Sequence, residues 1–296
     1  MNRFTIPAVL VLAGLLAGSA RAQDKIAWKF KEGDKFYLQE NTTTKQTIKV
    51  LGNAEEKEEV QYNLVSFHIK EKTDDKVVIV QTMEELSTKT ERGKQDPLTE
   101  KMLEKLKGHQ FTITIDKNGK MTKFEGYESL IKKISNDDPM VEKTLRAILT
   151  ADTFKKTAEN TFTMLPDKAV KKGDTWNRET QMSMGPIGSF KINAKYTYDG
   201  MEKDLAVIQG TSTLTYSAPK DDGGLPFKIS KGNIDATNAK TRLLFDSNLG
   251  RPSSEHTTLA LKGNLTLAIG EMEVEMTLEM EQRTDSKVST TRPEKK

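Results

Sequence analysis

The sequence has no cysteine among its 296 residues. This absence excludes disulfide bonds, thiolate zinc sites, iron–sulfur clusters and a cysteine nucleophile. Histidine is also scarce, because the chain has only His68, His109 and His256, and no two of them show the spacing of metal ligands. No glycine-rich phosphate loop of either common type occurs. We therefore expect no metal and no cofactor.

An excess of charge of one sign is missing as well. The chain carries 46 basic and 43 acidic residues, whereas a nucleic-acid-binding protein needs a basic surplus or a basic face. The serine patterns do not indicate catalysis either. Ser212 lies in a strand-like segment without the second glycine of a nucleophile elbow, and Ser129 and Lys132 have no partner Lys-Thr-Gly strand. We expect no nucleic-acid partner, no catalytic residues and no enzymatic activity.

A long apolar run occurs only at the start of the chain. Arg3 precedes apolar residues 6–16, and Ala20 and Ala22 provide the small side chains of a signal-peptidase site. The run is about eleven residues long, whereas a helix that spans a bilayer needs about 20. The sequence therefore predicts a signal peptide over 1–22, cleavage before Gln23, export to the periplasm or the cell exterior, and no transmembrane anchor.

Alternation of apolar and polar residues dominates the rest of the chain and is typical of strands with one covered face. The two long runs near the C-terminus flank Gly270 and Glu271, which predicts an antiparallel hairpin whose Leu and Met side chains share one face. The clearest alternating residues are Phe190, Ile192, Ala194, Tyr196, Tyr198, Leu259, Leu261, Leu265, Leu267, Ile269, Met272, Val274, Met276, Leu278 and Met280.

A short motif occurs twice and suggests an internal repeat. KEGDKF at 31–36 is echoed by KKGDTW at 171–176, and ITIDKNGK at 113–120 is echoed by LLFDSNLGR at 243–251. We expect these motifs to form equivalent turns in the two copies. In the first repeated motif, the residues to which we assign a structural role in the turn are Gly33, Asp34, Gly173, Asp174 and Trp176. Trp176 is expected to be largely buried, as the counterpart of Phe36.

Helical patterns are confined to the middle of the chain, apart from a short helix near 97–107 that has Asp96 as its N-cap and Pro97 as its first residue. We therefore predict a mainly β protein. It comprises two similar antiparallel curved-sheet units, open-barrel or sandwich-like, with roughly a dozen strands. The first unit covers 23–125, a helical segment covers 126–164, and the second unit covers 165–296.

The segments WKFKEGDKFYLQ, GHQFTITIDKNGKMTKFEG, MLPDKAVKKGDTW and RLLFDSNLGR resemble a family of uncharacterised exported bacterial β-rich proteins, a domain of unknown function. The resemblance covers nearly the whole chain after the leader. Its motifs are strand openings and turns, so it implies kinship but no activity. The architecture also distantly resembles the open barrels of periplasmic lipoprotein carriers, a likeness of fold that does not establish function.

Two functions remain open. In the first, the protein binds an apolar small molecule or lipid in a cavity between sheet and helices. In the alternative, it is a structural or protein-interaction module of the cell envelope without a cavity, and the Thr-rich strand 42–50 adds to a partner's sheet. The predicted cavity lining is Tyr196, Tyr198, Leu259, Leu261, Leu265, Leu267, Met272, Met276 and Met280, covered by a helical stripe of Val141, Leu145, Ile148 and Leu149.

The export prediction can be tested on protein produced in its own host. If signal peptidase removes 1–22, the intact mass corresponds to a chain that begins at Gln23 or an immediate neighbour. A mature chain that retains Arg3 would contradict the prediction.

Overall fold

The computed structural model describes residues 23–93, 97–183, 188–219 and 227–294. Within these residues, eleven strands form a single antiparallel, curved sheet, which confirms the predicted mainly β class. The strands are β1 Lys35–Val50, β2 Asn53–Lys72, β3 Lys76–Arg92, β4 Gln110–Asp116, β5 Met121–Glu125, β6 Thr175–Ser183, β7 Ser189–Glu202, β8 Leu205–Ser217, β9 Lys228–Asp246, β10 Arg251–Ile269 and β11 Met272–Ser289. The helices are α1 Pro97–Leu106, α2 Tyr127–Ser135, α3 Pro139–Ile148 and α4 Ala151–Thr163.

The sheet order is β5-β4-β3-β2-β1-β11-β10-β9-β8-β7-β6. Each half is thus a meander in which consecutive strands are neighbours, and β1 and β11 join the halves at the centre of the sheet. The predicted hairpin of β10 and β11 is present, with Ile269 paired to Met272 across a two-residue turn. The predicted units therefore share one continuous sheet.

The two Gly-Asp motifs form matching turns. Gly33 and Gly173 have φ angles of 85° and 93°, a region that glycine adopts without steric cost. The Gly33 amide donates to the Ile69 carbonyl at 2.9 Å, and the Gly173 amide donates to the Tyr198 carbonyl at 2.7 Å. Because β1–β5 and β6–β10 also follow the same order, the halves are topologically equivalent. Their descent from a duplication stays a prediction.

The second repeated motif also forms equivalent turns. The carboxylates of Asp116 and Asp246 accept hydrogen bonds from the amides of Asn118 and Asn248, each at 2.8 Å. These are the Asx-type bonds by which aspartate stabilises a tight turn. The two copies of this motif therefore connect consecutive strands, β4 to β5 and β9 to β10.

The predicted helical middle contains α2, α3 and α4, and the last two begin at residues whose side chains cap them. The Asp138 carboxylate accepts from the amides of Met140 and Val141, and the Thr150 hydroxyl accepts from the Thr153 amide. None of the described helices is both long and apolar enough to cross a membrane.

The segment before β1 connects the two halves. Asp24 forms an isolated antiparallel bridge with Val170. The Trp28 ring lies 5.5 Å from that of Phe162 in α4 and 6.0 Å from that of Phe245 in β9. One indole therefore contacts both the helical segment and the second meander, and this packing adds to the core.

Trp176 is more exposed than Phe36, its expected counterpart in the first half. Phe36 is buried, with 5% of its surface exposed, whereas Trp176 is only half-buried. Its indole stacks on Tyr196 at 5.7 Å and donates from Nε1 to the Met164 carbonyl at 2.9 Å. The difference follows from its place on the edge strand β6, where the chain that leaves α4 covers only part of the ring.

Gly263 provides a test of the packing between β9 and β10. A Cβ atom there would lie 2.0 Å from the Asn233 carbonyl oxygen and 2.6 Å from the Ile234 Cα. We expect Gly263→Ala to lower the free energy of unfolding by about 1–3 kcal/mol, because backbone must shift. Asn264→Ala, an exposed neighbour, should change it by less than about 0.5 kcal/mol. Urea titration of both variants checks this, and equal effects would contradict it.

Candidate functional site

Helix α4 does not pack flush against the sheet. Two cavities, of about 400 and 260 Å³, lie beneath and beside it on the sheet face that carries Phe36, Leu38 and Glu40, called here the inner face. The cavities share five lining residues, so we treat them as one site, the α4 cleft. The shared residues are Leu38, Glu40, Phe67, Thr157 and Thr161.

The sequence of α4 explains the gap. Residues four apart lie on one side of a helix, and Phe154, Ala158 and Phe162 form such a row. The Phe154 ring contacts that of Phe111 at 5.6 Å, and Phe162 is buried near Trp28. The large rings therefore anchor the two ends of the helix, whereas Ala158 between them leaves space above the sheet.

A second row on α4 is made of small polar side chains. Thr153, Thr157 and Thr161 are also spaced by four and all line the 400 Å³ cavity. Threonine is too short to reach across the gap that the phenylalanine anchors set. The sheet side of this cavity is largely aromatic and apolar, with Val65, Met83 and Phe124 among its residues.

The floor of the cleft carries two glutamates. Glu40 in β1 and Glu255 in β10 both pair with Ser286 in the intervening strand β11. Directly paired residues project to the same face of a sheet, and all three side chains line the 260 Å³ cavity. Asn63, the partner of Glu40 in β2, extends the polar row into the 400 Å³ cavity.

Burial in the cleft raises the pKa of the Glu255 carboxyl, and a hydrogen bond from Thr257 at 3.1 Å opposes the rise. Burial also raises the pKa of the Glu40 carboxyl, with a further contribution from the charge of Glu255 and an opposing hydrogen bond from Asn63. The groups that shift the pKa values of these two carboxyls therefore include one neutral hydrogen-bond donor for each glutamate but no cation. Tyr196, beside Glu255, has a raised pKa chiefly through burial.

Basic side chains stay out of the cleft. None of the described residues that line either cavity is Lys, Arg or His. Arg251 lies nearby over the Phe36 ring, 4.9 Å from its centre, but its guanidinium pairs with Asp34 at 3.2 Å. Arg178 pairs with Asp167 at 2.8 Å. The lining therefore combines apolar walls with an acidic floor.

Most of the predicted lining residues lie elsewhere. Leu261 and Leu265 are buried among strand residues such as Phe190 and Tyr216, and Leu259, Leu267, Met276 and Met280 pack against the same group. Met272 is 64% exposed at the hairpin tip. The Leu and Met side chains share one face as predicted, but among the described residues that face packs against other strands.

The predicted helical stripe does not cover this face. Leu145 and Leu149 pack with Phe111 and Tyr127 beside α2, and Val141 is 42% exposed. The side chain of Ile148 lies outside the described set. The expectation that α3 covers the β10–β11 hairpin is therefore wrong: its apolar stripe has a different partner.

Of the predicted residues whose side chains the structure describes, two line the α4 cleft, Tyr196 and Leu149. Tyr198 is fully buried instead, and its hydroxyl donates to Asp24 at 2.6 Å. The sequence does contain a signal for the missed site. Glu40 and Glu255 place carboxyl groups on the faces of β1 and β10 to which the alternation also assigns Leu38 and Leu259.

Comparison with protein-family models matches residues 55–252, more than half of the chain, to a family of unknown function, DUF6263. The chain belongs to this family. The match confirms the family-level expectation and, like the motifs that suggested it, assigns no activity. A search of the curated proteins gives no match.

Several solved structures are remotely similar to this chain. A lipovitellin structure concerned with lipid–protein interactions has 12% identity and a TM-score of 0.44; the match covers 90% of this chain and 26% of that one. An outer membrane channel from Pseudomonas putida F1 has 6% identity, a TM-score of 0.23, and coverage of 90% and 100%. A DUF1329 family protein from Desulfovibrio piger ATCC 29098 has 9% identity, a TM-score of 0.14, and coverage of 84% for both chains. The chain spans about a quarter of the lipovitellin chain.

The raised carboxyl pKa values predict a pH-dependent stability. A carboxyl whose pKa is higher in the folded state binds its proton more tightly there, so its ionisation at higher pH lowers the free energy of unfolding. We expect Glu255→Gln to stabilise the protein at pH 8, and the gain to shrink as the pH falls towards the ordinary carboxyl range, about 4. Glu273→Gln, at an exposed residue, is the control. Denaturant titrations across this range provide the measurement, and a gain independent of pH would contradict the assignment.

Proposed function

We propose that the protein is exported and binds an apolar, lipid-like ligand in the α4 cleft without transforming it. The observation that carries this proposal is the space between α4 and the inner face, lined by aromatic and aliphatic side chains. Ligand sites commonly have volumes of roughly 300–1,000 Å³ and apolar walls with a few polar groups. The larger cavity, at about 400 Å³, falls in that range.

The energetics of packing favour a bound apolar ligand in the α4 cleft. Side chains beside a void lose dispersion contacts, and a cavity in a core lowers stability in proportion to its volume. An apolar ligand would restore those contacts for Phe111, Phe124 and Phe154. Because a ligand that binds only the folded state stabilises it, occupation should also raise the melting temperature.

The Thr-rich strand does not support the envelope-module alternative. β1, which contains the Thr-rich segment 42–50, pairs along its length with β2 on one side and β11 on the other. Its backbone groups are therefore not available to a partner's sheet. The edge strands of the described sheet are β5 and β6.

Thr157 allows the cleft to be blocked from the helix side, since it lines both cavities. We expect Thr157→Trp to weaken binding of the neutral dye Nile red at least about tenfold, because the indole fills space that the dye would use. Lys155→Trp places the same group on α4 at a residue that lines neither cavity and should leave binding unchanged. Fluorescence titration of the three proteins gives the affinities.

Material from the native host provides the complementary test. Native mass spectrometry of gently purified protein should show a bound apolar species that solvent extraction recovers, in smaller amount from Thr157→Trp. A ligand-free protein that binds no dye would overturn the proposal. Equal dye binding by the Thr157 and Lys155 variants would place the binding outside the cleft.

A further inference from the structure

The α4 cleft has a chemically distinct end. Glu40 and Glu255 both line the 260 Å³ cavity, and Glu40 also lines the 400 Å³ cavity. Phe111 and Phe124 line the opposite part of the larger cavity, away from Glu255. The two carboxyl groups therefore lie together at one end of a site whose walls are largely apolar, an arrangement that suits an amphiphile.

The protein itself satisfies the two carboxyl groups only in part. Asn63 donates to Glu40 and Thr257 donates to Glu255, whereas each ionised carboxylate has about four acceptor positions. A carboxylate held away from water is costly unless it is paired and hydrogen-bonded. The cleft thus offers acceptors and negative charge without a counter-charge of its own.

We infer, on the basis of the proposed function, that the ligand is an amphiphile with a cationic amine head, its ammonium group held by Glu40 and Glu255 and its apolar chain under α4. An ammonium has several N–H donors and no acceptor, so it complements both carboxylates at once. The hydroxyl of Ser286, between them in the adjoining strand, provides a further acceptor.

The same lining selects against an anionic head. A fatty acid or phosphate would bring a further negative charge beside the two glutamates, and like charges in a partly desolvated site repel. The nearby guanidinium of Arg251 already pairs with Asp34. A neutral alcohol avoids the repulsion but has a single donor for two carboxylates, so its affinity should be intermediate.

Three probes that share a twelve-carbon chain and differ in the head group distinguish the contribution of the head to binding from that of the chain. Calorimetry with dodecylamine, dodecanol and dodecanoate below their micelle concentrations should give the order amine, alcohol, carboxylate. We expect dodecylamine to bind at least about tenfold more tightly than dodecanoate. The Glu40→Gln/Glu255→Gln double variant keeps the shape of both side chains and should bring the ratio of the two affinities close to one.

A matched control excludes general attraction of amines to carboxylates on the protein surface. Glu271→Gln/Glu273→Gln removes two exposed carboxylates at the β10–β11 tip and should leave the preference for the amine intact. If the tip variant removes the preference, or the cleft variant retains it, the inference is overturned.

The outcomes also separate this inference from the proposed function. If the three probes bind with equal affinity and Thr157→Trp weakens all of them, the cleft binds apolar chains and only the assignment of the head is wrong. If none of the probes binds, or if Thr157→Trp affects none of them, both proposals fail.

Discussion

The pairing of β1 with β11 is the constraint on which the rest of the structure depends. It joins strands from opposite ends of the chain in an unbroken register from Tyr37–Ser289 to Val50–Met276, and a hydrogen bond of 2.9 Å between the hydroxyls of Thr42 and Thr284 adds to it. Without this pairing the chain would form two separate meanders. The pairing also creates the floor of the cleft, because it sets the glutamate of the first meander two strands from that of the second.

The local elements could be predicted from sequence because their causes are local. Alternation identifies strands, Gly270 and Glu271 identify the last hairpin, and Gly33 and Gly173 identify turns that need positive φ. Each of these signals lies within a few residues. The continuous sheet could not be derived in this way, because its central pairing joins residues more than 200 positions apart. Alternation identifies a strand but does not indicate which other strand it pairs with.

The candidate site was missed for a related reason. The apolar stripe of α3 shows that the helix packs against something, yet only the tertiary structure reveals that Leu145 and Leu149 pack beside α2. The residues that form the cleft come from strands of both meanders and from α4. The alternation places Glu40 and Glu255 on the same face as apolar residues of their strands, but their proximity depends on β11 lying between them.

Two solutions for covering an apolar sheet face coexist in this chain, and their difference explains why the cleft lies where it does. Around β10, strands pack against strands: a Cβ atom at Gly232 would lie 2.5 Å from side-chain atoms of both Leu265 and Tyr216, so the missing side chain lets them close together. Over β1–β4 a helix is the cover: Phe154 and Phe162 pack near its two ends, and Ala158 between them contacts the core but is too small to fill the α4 cleft. Ala158 and the threonine row leave that space open, and a flexible apolar chain has the shape to fill it.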